Sequence, residues 1–117
     1  MPHKPDNLDR VYHLLDAVRK IRRYATGKSL NDLREDEMLQ YSVVHLLEIA
    51  GEAASGITLE FRTQYPGIPW RELIDMRNRL IHAYFNISLA IVWETVTNDL
   101  PKIEETLTTL FPDLSEE

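Results

Sequence analysis

The chain has no cysteine among its 117 residues. That excludes a disulfide framework and a thiolate zinc site, and it fits a reducing compartment. No apolar run approaches the ~20 residues of a membrane-spanning helix. The stretch Met1-Pro2-His3-Lys4-Pro5-Asp6 lacks the apolar segment of a secretory signal. A cytoplasmic protein without membrane contact is the expectation. The four glycines do not form a phosphate-cradling loop, and no Ser-His-Asp signal is present. No two of His3, His13, His45 and His82 stand at i, i+3 or i+4, and no acidic cluster adjoins His82. No metal or cofactor is therefore expected.

Cations are also scarce. The formal charge of −6 argues against a general nucleic-acid coat protein, because phosphate contacts need positive charge. The distribution is uneven, however. Arg19, Lys20, Arg22, Arg23, Lys28 and Arg34 come early, and Arg71, Arg77 and Arg79 come in the middle. After Tyr84 the only base is Lys102. Such asymmetry permits a local basic cleft on an acidic body, although solvated helix faces account for each cluster equally simply.

What is present is globular: 44% hydrophobic and 27% charged residues. The length suits one domain, taken as residues 1–117. Leu8, Val11, Leu14, Leu15, Val18 and Ile21 recur at helical spacing, and Gly27 supplies a stop, so a first helix is expected over Asn7 to Ala25. Ser29 to Glu35 reads as a connection. Leu39, Val43, Leu46, Leu47 and Ala50 give a second helix running through Ile57 to Phe61, with a bend at Ser55-Gly56. A turn over residues 64–69 leads to a third helix from about Pro69 to Tyr84, with Asn86 as terminator. Ser88 can cap a fourth helix carrying Leu89, Val92, Trp93, Val96, Leu100, Ile103, Leu107 and Leu110. Pro101 should kink or split that helix near Asn98. The expected fold is all-α: an up-down bundle of four helices, or five with a break at Pro101.

One segment breaks the pattern. Arg77-Asn78-Arg79-Leu80-Ile81-His82-Ala83-Tyr84 reads R-x4-H-x-Y. On a helical wheel of about 100° per residue, Trp70, Leu73, Ile74, Leu80, Ile81 and Tyr84 share one side. Arg77 falls in the middle of it. An unpaired buried charge costs several kcal/mol, so a second subunit or a solvated cleft is expected at this face. Arg71, Asp75, Asn78 and His82 fall on the adjoining arc. Arg77 and His82 lie roughly 140° apart on a regular helix. They converge only if the helix frays at His82–Tyr84, or if symmetry-related helices share the site.

These residue types suit RNA cleavage. RNA carries its own nucleophile, the 2′-OH. A neutral imidazole can take that proton near cellular pH. Arginine stays cationic and offers a planar fork to the phosphorane. Asn78 can orient His82 or donate to the phosphate. The simpler readings are an Arg/His surface pair, a core aromatic at Tyr84, packing roles for Trp70 and Trp93, a structural His45, and surface positions for His3 and His13. Two alternatives to catalysis stay open: a non-catalytic helical dimer that binds a nucleotidyltransferase or nucleic acid, and a structural dimer in which Arg77 pairs with Glu52 or Asp75.

The segment Met76 to Phe85 resembles the signature of the HepT-like toxins, a branch of the HEPN superfamily. Ile49-Ala50-Gly51-Glu52-Ala53 is similar to the family's IGEA element, and Pro66-Gly67-Ile68-Pro69-Trp70 to its P-x-I-P-W turn. Ile91-Val92-Trp93-Glu94 and Asp99-Leu100-Pro101 resemble its last helix. Ala50 and Ser88 depart from the usual pattern without touching the chemistry. The resemblance implies a HEPN-type bundle and a metal-independent ribonuclease toxin of a type VII toxin–antitoxin pair. It implies a homodimer with the R-x4-H-x-Y segments at the subunit cleft, acting on tRNA or mRNA. It implies Arg77 and His82 as catalytic residues, with Asn78 in support. Its partner would be a minimal nucleotidyltransferase (MntA-like) antitoxin that attaches AMP to Tyr84.

Overall fold

A computed structural model describes residues 6–83 and 86–114. Every regular element among them is helical: α1 (Asn7–Ala25), α2 (Leu30–Glu35), α3 (Glu37–Gly56), α4 (Leu59–Gln64), α5 (Trp70–Ala83), α6 (Leu89–Glu94) and α7 (Leu100–Leu110). A wide π-turn, Thr95–Asp99, joins α6 to α7. The bundle therefore consists of α1, α3, α5 and the α6–π–α7 rod, with α2 and α4 as short links. None of these helices is long and apolar enough to cross a membrane.

α1 begins at a reciprocal cap. Asp9 N donates to the Asp6 carboxylate at 2.8 Å, and Asp6 N donates to the Asp9 carboxylate at 3.2 Å. Its apolar stripe (Val11, Leu14, Leu15, Val18, Ile21) is fully buried. Each such side chain contributes about 1.5–3 kcal/mol on leaving water. Gly27, at φ 76°, reverses the chain just beyond the helix, a conformation that glycine adopts without steric cost.

The segment expected to be a connection is a helix. In α2, Ser29 Oγ accepts from Asp32 N at 3.1 Å while Ser29 N donates to the Asp32 carboxylate at 2.8 Å. This second capping box nucleates six residues that bury Leu33 completely. The Ser29 backbone N–H, then its hydroxyl, hold the Asp32 carboxyl below its ordinary pKa.

The second expected helix does not run through to Phe61. It ends at Gly56, and Ile57 is extended (φ −76°, ψ 136°) yet 1% exposed. Two contacts enforce the break. Thr58 Oγ1 caps α4 by accepting from Phe61 N at 3.2 Å. Asn7 grips Thr58 from across the bundle, its Oδ1 accepting from Thr58 N at 3.0 Å and its Nδ2 donating to Oγ1 at 3.2 Å. Ile57 thus reaches the core from an extended residue, which makes the helical stripe look continuous.

Trp70 anchors the start of α5. It is buried, and its Nε1 donates to the carbonyls of Tyr65 (3.0 Å) and Arg62 (3.2 Å). Pro69 stands one residue before the helix, its carbonyl accepting from Leu73 N at 3.1 Å. α5 stays helical through His82 to Ala83, and Asn86 N closes its end on the Ala83 carbonyl at 2.8 Å. The helix thus ends at Ala83, inside the expected window of His82–Tyr84, although His82 itself is still helical. Tyr84, the last residue of that expectation, lies outside the described residues.

The expected break near Asn98 is the π-turn. Leu100 N donates to Thr95 O, five residues back. Pro101 has no N–H, and its ring would meet the carbonyl of Thr97 in an unbroken α-helix. The wide turn removes that conflict while all backbone angles at Thr95, Asp99 and Leu100 stay right-handed helical. Ser88 caps this rod as expected, accepting from Ile91 N at 3.3 Å. Glu104 of α7 binds Arg22 and Arg19 of α1, the latter at 3.5 Å. Lys20 pairs with Asp16 at 2.9 Å. Much of the early basic cluster is therefore neutralised within the fold.

Candidate functional site

The site forms where α3 and α5 touch. A Cβ built on Gly51 would stand 2.2 Å from Arg77 Cβ and 2.6 Å from the Leu73 carbonyl oxygen. Only a residue without a side chain lets the two helices come so close. Gly51 lies near the end of α3 and Leu73 near the start of α5, so the helices run antiparallel. This contact fixes the base of the Arg77 side chain.

The tip of Arg77 meets Glu52, the residue after Gly51. Arg77 Nη1 donates to Glu52 Oε2 in an ion pair. The Arg77 side chain is 18% exposed and the Glu52 side chain 67%. Arg77 Nε is buried and finds no hydrogen-bond partner among the described residues. Arg77 is largely buried, as the helical wheel indicated, although Ile81 of the same face is 41% exposed. Its partner is an acid of the same chain, and of the two candidates Glu52 and Asp75 the structure selects Glu52.

The other signature residues lie elsewhere on α5. Asn78 and His82 are both exposed, one helical turn apart, and can touch across i, i+4. Because α5 is helical through Ala83, Arg77 and His82 remain about 140° apart around its axis. One chain does not bring them to a common point. His45 is exposed, not structural as the stripe suggested, and His13 is exposed as expected; His3 lies outside the described residues. Trp93 is partly buried against the core.

Two hollows lie on another side of α5. One cavity of about 520 Å³ runs between α5 and the π-turn region, lined by Leu73, Met76, Arg79, Thr95, Asp99 and Lys102 among others. A second, of about 180 Å³, shares Met76 and Arg79 with it and continues to Ile91 and Val92. Neither is lined by Arg77, Asn78 or His82. Among the described residues, no group of three or more His, Asp or Glu side chains is placed to hold a metal ion.

An all-α bundle with an arginine clamped between two helices and a histidine near the end of the same helix defines a class of small helical proteins. The chain belongs to the ribonuclease HepT-like family, whose model matches residues 14–110. It is 35% identical over 101 residues to a protein of Thermococcus cleftensis named "Probable ribonuclease HepT", covering 86% of this chain and 92% of the relative. It is 35% identical over 95 residues to a "Putative RNase" of Methanocaldococcus jannaschii, covering 81% and 87% respectively. A third relative, also from M. jannaschii, is named "Gamma-glutamylcyclotransferase and putative RNase"; identity is 36% over 102 residues, 87% of this chain. The chain spans only 46% of that relative's length. No solved structure matches the chain significantly.

Proposed function

We propose that this chain, as a single HepT-like domain, is a metal-independent endoribonuclease acting in the cytoplasm as the toxin of a toxin–antitoxin pair. The observation that carries the reading is the state of Arg77. Its stem is fixed by Gly51, and its guanidinium already holds an anionic oxygen at the protein surface. A phosphate oxygen is the natural substitute for that carboxylate.

His82 serves as the acid–base group. It takes the proton of an RNA 2′-OH, whose oxygen attacks the adjacent phosphorus. The bond from phosphorus to the 5′-oxygen breaks, and an imidazolium returns a proton to that oxygen. The products are a 2′,3′-cyclic phosphate and a 5′-hydroxyl. Arg77 holds the charge that builds on the phosphorane. Asn78, within reach of His82, orients the ring.

The angular separation of Arg77 and His82 calls for two copies, so that symmetry brings the two residues to one cleft. The exposed apolar residues support this arrangement. Ile81 is 41% exposed and Ile49 36%, and each lies one turn from the Arg77–Glu52 pair. Neutralisation follows from AMP on Tyr84: a phosphate charge and a nucleoside beside the site would repel an RNA backbone. A nucleotidyltransferase partner is the matching antitoxin.

The same ion pair favours a second reading, in which Arg77 only ties α3 to α5 and the dimer binds without turnover. RNA incubated with purified protein and EDTA separates the two. The ribonuclease reading expects cleavage that falls by about 10²–10⁴-fold in His82→Ala and is also lost in Arg77→Ala. Parent-like cleavage by both variants would overturn it.

A further inference from the structure

The Arg77–Glu52 pair is built asymmetrically. Arg77 is the fixed member: its Cβ packs where Gly51 has no side chain, and its Nε is buried. Glu52 is the loose member: its side chain is two-thirds exposed, and its carboxylate accepts from Arg77 Nη1. An exposed ion pair of this kind is weak, of the order of 0.2–1 kcal/mol, because water screens it and the free side chain has entropy to lose. A solvent-facing carboxylate can therefore leave, and the guanidinium cannot.

We propose that Glu52 is an internal competitor for the anion subsite of Arg77. Its carboxylate occupies the donor that a phosphodiester must reach, and substrate binds by displacing it. This inference rests on the ribonuclease reading for the identity of the anion, but not for the existence of the subsite. Two consequences follow from the geometry. The guanidinium stays oriented without substrate, because the carboxylate satisfies Nη1 in the meantime. Anions too weak to displace a carboxylate are excluded, which sets a lower limit on the affinity of any ligand at this point.

The displacement predicts a KM effect. Removing the carboxylate raises the affinity of the free site for phosphate and leaves the phosphorane-stabilising contact intact, since Glu52 is already displaced in the bound state. A screened pair of the strength above corresponds to a change in affinity of up to about fivefold.

The test uses inorganic phosphate as probe and the Arg77 Nε–H signal as reporter, observed by 15N–1H NMR and assigned by its loss in Arg77→Lys. Glu52→Gln keeps the side chain's shape, and Glu52→Ala removes the acceptor altogether; position 52 is exposed enough for both substitutions to leave the fold unchanged, which a thermal melt checks. The expected result is a phosphate titration tighter by up to about fivefold in both variants, with KM for RNA lowered by a similar factor and kcat within about twofold. Unchanged or weaker phosphate binding in both variants overturns the inference, as does a large fall in kcat at unchanged KM. The ribonuclease reading fails separately: if phosphate binds more tightly in the variants while no form of the protein cleaves RNA, the subsite stands and the reaction does not.

Discussion

Gly51 and Arg77 are in contact through a missing side chain: the place a Cβ would take on Gly51 lies 2.2 Å from the Cβ of Arg77. The glycine therefore governs where the guanidinium sits as well as how closely two helices approach.

Gly51→Ala is expected to force α3 and α5 apart, because the nearest obstacles are a Cβ and the Leu73 carbonyl oxygen at 2.6 Å, neither of which can rotate away. Overpacking of this kind costs about 1–3 kcal/mol. Urea denaturation should show a lower midpoint, and RNA cleavage should fall because Arg77 is displaced. An unchanged midpoint would mean that the helices separate freely.

Arg77→Met should separate stability from activity. Methionine fills the space of the stem, and the orphaned Glu52 is exposed enough to be solvated. The expected change in unfolding free energy is below about 1 kcal/mol, while cleavage is lost. A loss of several kcal/mol would instead assign the pair a structural role.

Asp32 should titrate below its ordinary value of 3.8, because the Ser29 N–H and hydroxyl favour its charged form. A lowered folded-state pKa means that its stabilising contribution is complete above the ordinary value. It is lost as pH falls through the lower, folded value. Carboxyl 13C titration should show this ordering, and Asp32→Asn should remove that part of the acid-side slope. An Asp32 midpoint at the ordinary value would refute the cap's role.

Tyr84 carries the regulatory prediction. Co-expression with a nucleotidyltransferase antitoxin should add the mass of AMP to the peptide containing it. Tyr84→Phe should prevent both the mass shift and neutralisation. Modification mapped to another residue would reject the assignment.

The legibility of this fold in its sequence follows the length of its elements. α1 was readable to its ends, because six apolar residues repeat at helical spacing up to a Gly stop. α2 was not: six residues with two leucines are too few for a periodic signal, and its formation depends on the Ser29–Asp32 cap. The break at Ile57 was hidden because an extended, buried isoleucine occupies a position a helix would also have filled. Pro101 marked the place of the π-turn without specifying its type. At the site, the sequence located Arg77, Asn78 and His82 and left the acid facing Arg77 open. Asp75, two residues before Arg77 on the same helix, faces away from it; the pairing with Glu52 depends on how α3 and α5 pack, which no local pattern encodes.

The π-turn has a consequence for how this chain tolerates changes in length. It behaves as an insertion of one residue already absorbed into a continuous rod. Deleting one residue between 95 and 99 would turn the Leu100 N–H to Thr95 carbonyl bond into an ordinary four-residue turn and keep the phase of everything beyond it. Leu100, Ile103 and Leu107 would stay in the core and Glu104 would keep its hold on Arg19 and Arg22, while the Pro101 ring would again meet the carbonyl of the preceding turn. A one-residue insertion within α7, where no wide turn absorbs it, would instead rotate the residues beyond it by about 100° and do more harm than most substitutions.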